Sequence, residues 1–122
     1  MITLKFLKSK VDEWKQILNI DPIWEINCSF DVDGYLADNQ QAEIMILSDY
    51  YIANILFKKN EVNKNNIDHI IAHEYCHLIL NGLYMQAEKH LGKKHEDLLI
   101  TISENTVERL ARGYLALYKR IK

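Results

Sequence analysis

The sequence predicts an α+β domain, and three observations carry that prediction. Short β-rich segments fill the first half of the chain, beginning with a roughly alternating stretch over residues 23–30. Helical apolar spacing dominates from residue 67 onward. No repeat, low-complexity tract or linker divides the 122 residues, so they are expected to form one domain. Strands first and helices afterwards is the order of an α+β fold, not of an alternating α/β one.

Each element has a local reason. Residues 9–19 place Val11, Trp14, Ile17 and Leu18 at helical spacing, with Ser9 as N-cap and Asp21-Pro22 as the stop. Residues 23–30 (IWEINCSF) read as a strand and end in Asp-Val-Asp-Gly, a turn signal. Residues 42–47 (AEIMIL) read as a second strand, with Ala42, Ile44 and Ile46 on one side and Glu43, Met45 and Leu47 on the other. Residues 50–57 are apolar and fit either strand or helix, and 60–66 form a polar loop. A helix over 67–80 is expected to stop at Asn81-Gly82, and a further piece over 83–91 to stop at Gly92. Residues 98–119 carry a long amphipathic stripe that includes Leu99, Val107, Leu110, Ala111 and Tyr114.

Composition excludes several classes. Net charge is −2, and lysines are interspersed with acids and asparagines, so no basic surface for nucleic acid is expected. No run reaches membrane-spanning length, and MITLKFLKSK has no secretory-signal pattern. The two cysteines, Cys28 and Cys76, suit free thiols in a reducing compartment, which makes a cytoplasmic protein the expectation.

HEYCH, residues 73–77, carries the chemistry. Between Ile70 and Leu80 every residue is apolar or aromatic except His73, Glu74 and His77. A helix that is apolar all round is normally buried, and a buried carboxylate beside two imidazoles is costly unless something pairs with it. Residues four apart share a helix face, so His73 and His77 can offer two nitrogens to one divalent cation. Glu74 sits beside that face, where it can act on a water as general base. Tyr75 and Cys76 point elsewhere and read as core.

A hydrolytic zinc site needs a third protein ligand. Glu88, His90, His95, Glu96, Asp97, Glu104 and Glu108 all lie downstream. Leu80 and Leu83 occupy the positions where a metzincin would carry glycine and histidine, which excludes that class. SENTVERLA (103–111) is the best remaining stretch, since Glu104 and Glu108 share a face next to the apolar stripe. One could ligate while the other accepts the free N–H of a ligating histidine. Equally, Thr101 to Glu104 fits a capping box, and Glu108 could pair with Arg112. His69, one turn before His73, reads as exposed or as supporting the site, because a fourth protein ligand would close it.

With HEYCH followed 27 positions later by Glu104, the chain resembles gluzincin-type minimal metallopeptidases, among them compact phage-associated and ImmA/IrrE-like zincins. The resemblance spans roughly residues 42–118: AEIMIL as the strand before the active-site helix, IIAHEYCHLIL as that helix, and ENTVERLA on the last helix. It implies a small, mainly antiparallel sheet whose edge strand packs on the active-site helix. It also implies Zn²⁺ held by His73, His77 and Glu104, with Glu108 as supporting partner or alternative ligand, and peptide hydrolysis with Glu74 as base. His95, Tyr84 and Tyr114 are the candidates to stabilise the oxyanion. The expected partner is a peptide or protein substrate, and the ImmA-like resemblance points to a regulatory protein such as a repressor or antitoxin. The competing expectation is a zinc-binding regulatory module of the same fold without turnover, against which the intact Glu74 counts.

Overall fold

The computed structural model describes residues 2–121. Its elements run α1 (Leu4–Ile17), β1 (Glu25–Phe30), β2 (Ala42–Leu47), β3 (Ile52–Phe57), α2 (Ile67–Leu91) and α3 (Glu96–Ile121). Short 3₁₀ turns lie at Ser48–Tyr50 and Lys93–His95. The fold is α+β, and no described helix is long and apolar enough to cross a membrane.

The first helix begins six residues earlier than Ser9 suggests. Thr3 is the cap: its Oγ1 accepts the Phe6 N–H at 3.1 Å. Leu7, Val11 and Trp14, one turn apart, form its buried face. It stops at Asn19 rather than at the proline. Asn19 takes a left-handed φ of 52°, and the Ile20 N–H returns to the Lys15 carbonyl at 3.0 Å, the paired closure of a Schellman end.

The sheet corrects one expectation. Its order is β1-β3-β2, with β3 parallel to β1 and antiparallel to β2, so it is mixed rather than mainly antiparallel. The loop over residues 31–41 carries the chain past a vacant position beside β1, and β3 then fills it by a tight turn from β2. Asp31 holds that loop by accepting the Tyr35 and Leu36 N–H groups at 3.0 and 2.8 Å. β2 is left as a free edge, lying against α2.

The core lies between one face of the sheet and the helices. Ala53, Ile55 and Phe57 of β3 point inward and meet Leu7, Trp14, Ile67, Ile71, Tyr75 and Cys76, all fully buried. Removing one such large side chain from water contributes about 1.5–3 kcal/mol. α3 packs on α2 through Val107 and Ala111. A polar tie fixes the three helices: Asp68, at the start of α2, accepts from Trp14 Nε1 at 2.8 Å and pairs with Lys10 at 3.1 Å. Lys10 also donates to Tyr118 of α3 at 3.1 Å, and the Tyr118 ring lies 4.9 Å from that of Trp14.

The second helix also departs from the sequence expectation, since it runs unbroken through Asn81-Gly82. Asn81 does not cap; its Nδ2 donates to Ser48 Oγ at 2.9 Å and ties α2 to the turn after β2. The stop is Gly92, whose φ of 72° favours glycine. A Cβ built at Gly82 would meet nothing within 4 Å. Gly82→Ala is therefore expected to stabilise the protein by about 0.5–1 kcal/mol, since alanine suits an open helix interior better than glycine. Thermal or urea unfolding checks the sign, because a helix that ended at residue 82 on a left-handed glycine would be destabilised instead.

Candidate metal centre

His73 and His77 lie one turn apart on α2, and Glu104 and Glu108 one turn apart on α3. Packing of the two helices through Val107 and Ala111 turns these faces toward each other. Glu104 Oε1 lies 3.4 Å from His77 Nε2, and Glu104 Oε2 lies 3.6 Å from His73 Nε2. His73, His77 and Glu104 each offer an atom within 4.8 Å of the others, and among the described residues they are the one such group.

These separations are informative. They exceed the 2.7–3.2 Å range of an N–H···O hydrogen bond. Two ligands each about 2.0–2.1 Å from one tetrahedral ion stand roughly 3.3–3.4 Å apart, close to the two Glu104–histidine separations. The donor set, two imidazole nitrogens and one carboxylate, fits a divalent zinc-like cation. Thr101 does not cap α3: its Oγ1 donates back to the Asp97 carbonyl at 3.0 Å from within the helix. Glu104 is thereby free of the capping role its spacing allowed.

Glu108 organises the other side of the ligands. Its Oε1 lies 3.0 Å from His73 Nδ1 and 3.0 Å from His69 Nε2, while Oε2 accepts from Arg112 Nε at 2.7 Å. Partial desolvation works against ionisation, but the hydrogen bonds from Arg112, His73 and His69 prevail and hold its carboxyl down at about 2. An ionised Glu108 keeps the His73 proton on Nδ1 and leaves Nε2 as the free donor atom. His69 thus supports the site without joining it.

Glu74 is the one buried charged side chain among the described residues, at 7% exposure. Burial pushes its carboxyl up to about 7, with Glu104 and Glu43 adding to the rise and His73 and the Ile44 backbone N–H opposing it. Burial likewise lowers the pKa of His77, assisted by His73 and opposed by Glu104, which favours the neutral imidazole that binds metals. Cys76 is buried in the core, its thiol pushed up to about 11, and Tyr75 donates to the Val11 carbonyl at 2.9 Å. Both are packing residues.

The raised Glu74 pKa has a stability consequence. Below the ordinary value of 4.5 the carboxyl is neutral in both folded and unfolded chains, and burial costs nothing extra. Between 4.5 and about 7 the unfolded chain ionises while the folded chain holds its proton, so metal-free stability falls as pH rises. Glu74→Gln removes that loss. In chelator, its gain over wild type is expected to be absent near pH 4 and to approach about 3 kcal/mol above pH 7. Thermal unfolding from pH 4 to 8 measures it.

The site opens into a cleft of about 670 Å³ between β2, α2 and α3. Ala42, Ile44 and Ile46 form one wall, and Leu80, Tyr84 and Ile100 close one end. Of the three expected oxyanion donors, only Tyr84 lines the cleft. His95 is exposed in the turn after α2, because the unbroken helix carries the chain roughly 20 Å beyond His77 before it reverses. Tyr114 packs against the core instead. Sequence reasoning missed Ile100 and Ser103, although their spacing to Glu104 and Glu108 places all four on one face of α3. It also missed Asn39, Gln40 and Gln41, loop residues whose place beside the site follows only from the strand order.

Compared with family models, curated proteins and solved structures, the chain finds no match in any of the three.

Proposed function

We propose that the protein is a zinc-dependent peptidase in which His73, His77 and Glu104 hold the metal and Glu74 is the general base. The observation that carries this reading is the conjunction at one point: three donors at ligand spacing and a buried carboxylate with a raised pKa beside them. Resemblance to the gluzincin-type minimal metallopeptidases, through HEYCH and Glu104, points the same way. Zinc bound there would supply Lewis acidity, lowering the pKa of water and polarising a carbonyl.

The chain's own residues do the rest. Glu74 accepts the proton of the attacking water and delivers it to the leaving amine. Glu108 fixes the His73 tautomer and orientation. Of the three candidate oxyanion donors, Tyr84 is the one that lines the cleft, and in our reading it takes that role. The free edge of β2 offers backbone groups to an extended peptide, so the substrate class is an extended segment of a protein, a cytoplasmic regulatory protein in our reading.

The test is hydrolysis of an unfolded protein substrate by zinc-loaded protein. Activity is expected to vanish on chelation and return with stoichiometric zinc. A chain that takes up no zinc, or whose hydrolysis survives chelation, overturns the reading.

A further inference from the structure

Glu43 is a charged cleft residue that neither the fold nor the proposed hydrolysis uses. It precedes Ile44 in β2 and, although the strand's alternation sends it to the side away from α2, it lines the cleft. Among the described residues, its Oε2 is the one side-chain oxygen or nitrogen buried with no hydrogen-bond partner. Buried polar atoms are nearly always partnered, so this oxygen is an exception, although Glu43 as a whole is only half-buried. None of the ion pairs among the described residues reaches it. Nor does it join a set of metal donors, so a second metal ion is not what it awaits.

The surroundings say what it does await. Among the described residues, the carboxylates Glu43, Glu74, Glu104 and Glu108 and the imidazoles His69, His73 and His77 line the cleft, and no lysine or arginine does. Glu43 lies close enough to Glu74 for its charge to act on that carboxyl. Glu104 would be taken up by the metal and Glu108 is paired with Arg112, which leaves Glu43 as the cleft carboxylate without an assigned partner, and electrostatic complementarity governs which partner is accepted. We propose that Glu43 is a specificity residue that receives a substrate cation, a lysine or arginine side chain or a free α-amino group, close to the bond that is cut. The proposal rests on the peptidase reading.

The experiment compares zinc-loaded wild type, Glu43→Gln and Glu43→Lys on matched synthetic peptides. At each position the peptides carry lysine, arginine, norleucine or glutamate, with free or acetylated N-termini, and cleavage is followed by mass spectrometry. Wild type is expected to prefer cationic over norleucine peptides by about tenfold or more in kcat/KM. Glu43→Gln is expected to collapse that ratio, mainly through KM, and Glu43→Lys to invert it toward glutamate. A preference abolished by acetylation assigns the cation to the α-amino group, and one that survives assigns it to a side chain. Cleavage of neutral peptides without charge preference, or an unchanged ratio in Glu43→Gln, overturns the assignment and leaves the peptidase reading standing. Wild type that cleaves nothing removes both. Glu43→Gln is also expected to melt no lower than wild type; a drop beyond about 5 °C would make the carboxylate part of the fold and overturn the proposal.

Discussion

Zinc-loaded Glu74→Gln is expected to keep its metal and lose turnover by about 10²–10⁴-fold. Glutamine has nearly the same shape, so it fits the buried position that leaves Glu74 only 7% exposed. It cannot accept the proton of the attacking water. Zinc content should stay at one equivalent, because the proposed donors are His73, His77 and Glu104 and not Glu74. The two readouts separate base from ligand. Loss of zinc together with activity would make Glu74 a ligand, and turnover within about twofold of wild type would falsify its role as base.

The two glutamates of α3 should part company in the same assay. Glu104→Ala removes one of three donors and is expected to abolish stoichiometric zinc binding at neutral pH. Glu108→Ala is expected to weaken zinc binding by about 10–100-fold, the usual effect of removing the acceptor behind a ligating imidazole, without abolishing it. The lost Glu108–Arg112 pair adds little, since the Arg112 side chain is 73% exposed. Titration with a zinc-buffered chelator measures both. The reverse order, with zinc retained in Glu104→Ala and lost in Glu108→Ala, would exchange the two roles.

The sequence made the centre of the site legible because its signal is local. His73, Glu74 and His77 stand out as the polar residues of an otherwise apolar turn, and helical geometry alone puts the two histidines on one face. The third donor was ambiguous, since Glu104 fits a cap as well as a ligand. Only the true start of α3 at Glu96, two turns earlier, removes the cap. Helix ends were misjudged where side chains found tertiary partners. Asn81 looks like a stop until Ser48 takes its amide, and Ser9 looks like a cap until Thr3 does that work. The parallel pairing of β1 with β3 has no local signature at all. It depends on which position the chain passes over in residues 31–41, a non-local choice that strand alternation does not encode.

The three donors also differ in how firmly the core holds them. His73 and His77 belong to the stretch of α2 whose buried side chains run from Ile67 to Leu78, whereas Val107, the first buried residue of α3, comes only after Glu104. Beyond those limits the two helices form an arm that carries Leu83, Met85, Leu98 and Ile102 in solvent. Glu104 is thus mounted at the root of the arm, where anchored protein gives way to an outrigger braced mainly by its own two struts. An ion held by all three donors would act there as a rivet at the joint. With an ion held by all three donors, the seating of the arm, and with it the place of Tyr84 and Ile100 in the cleft, would depend on whether the site is filled.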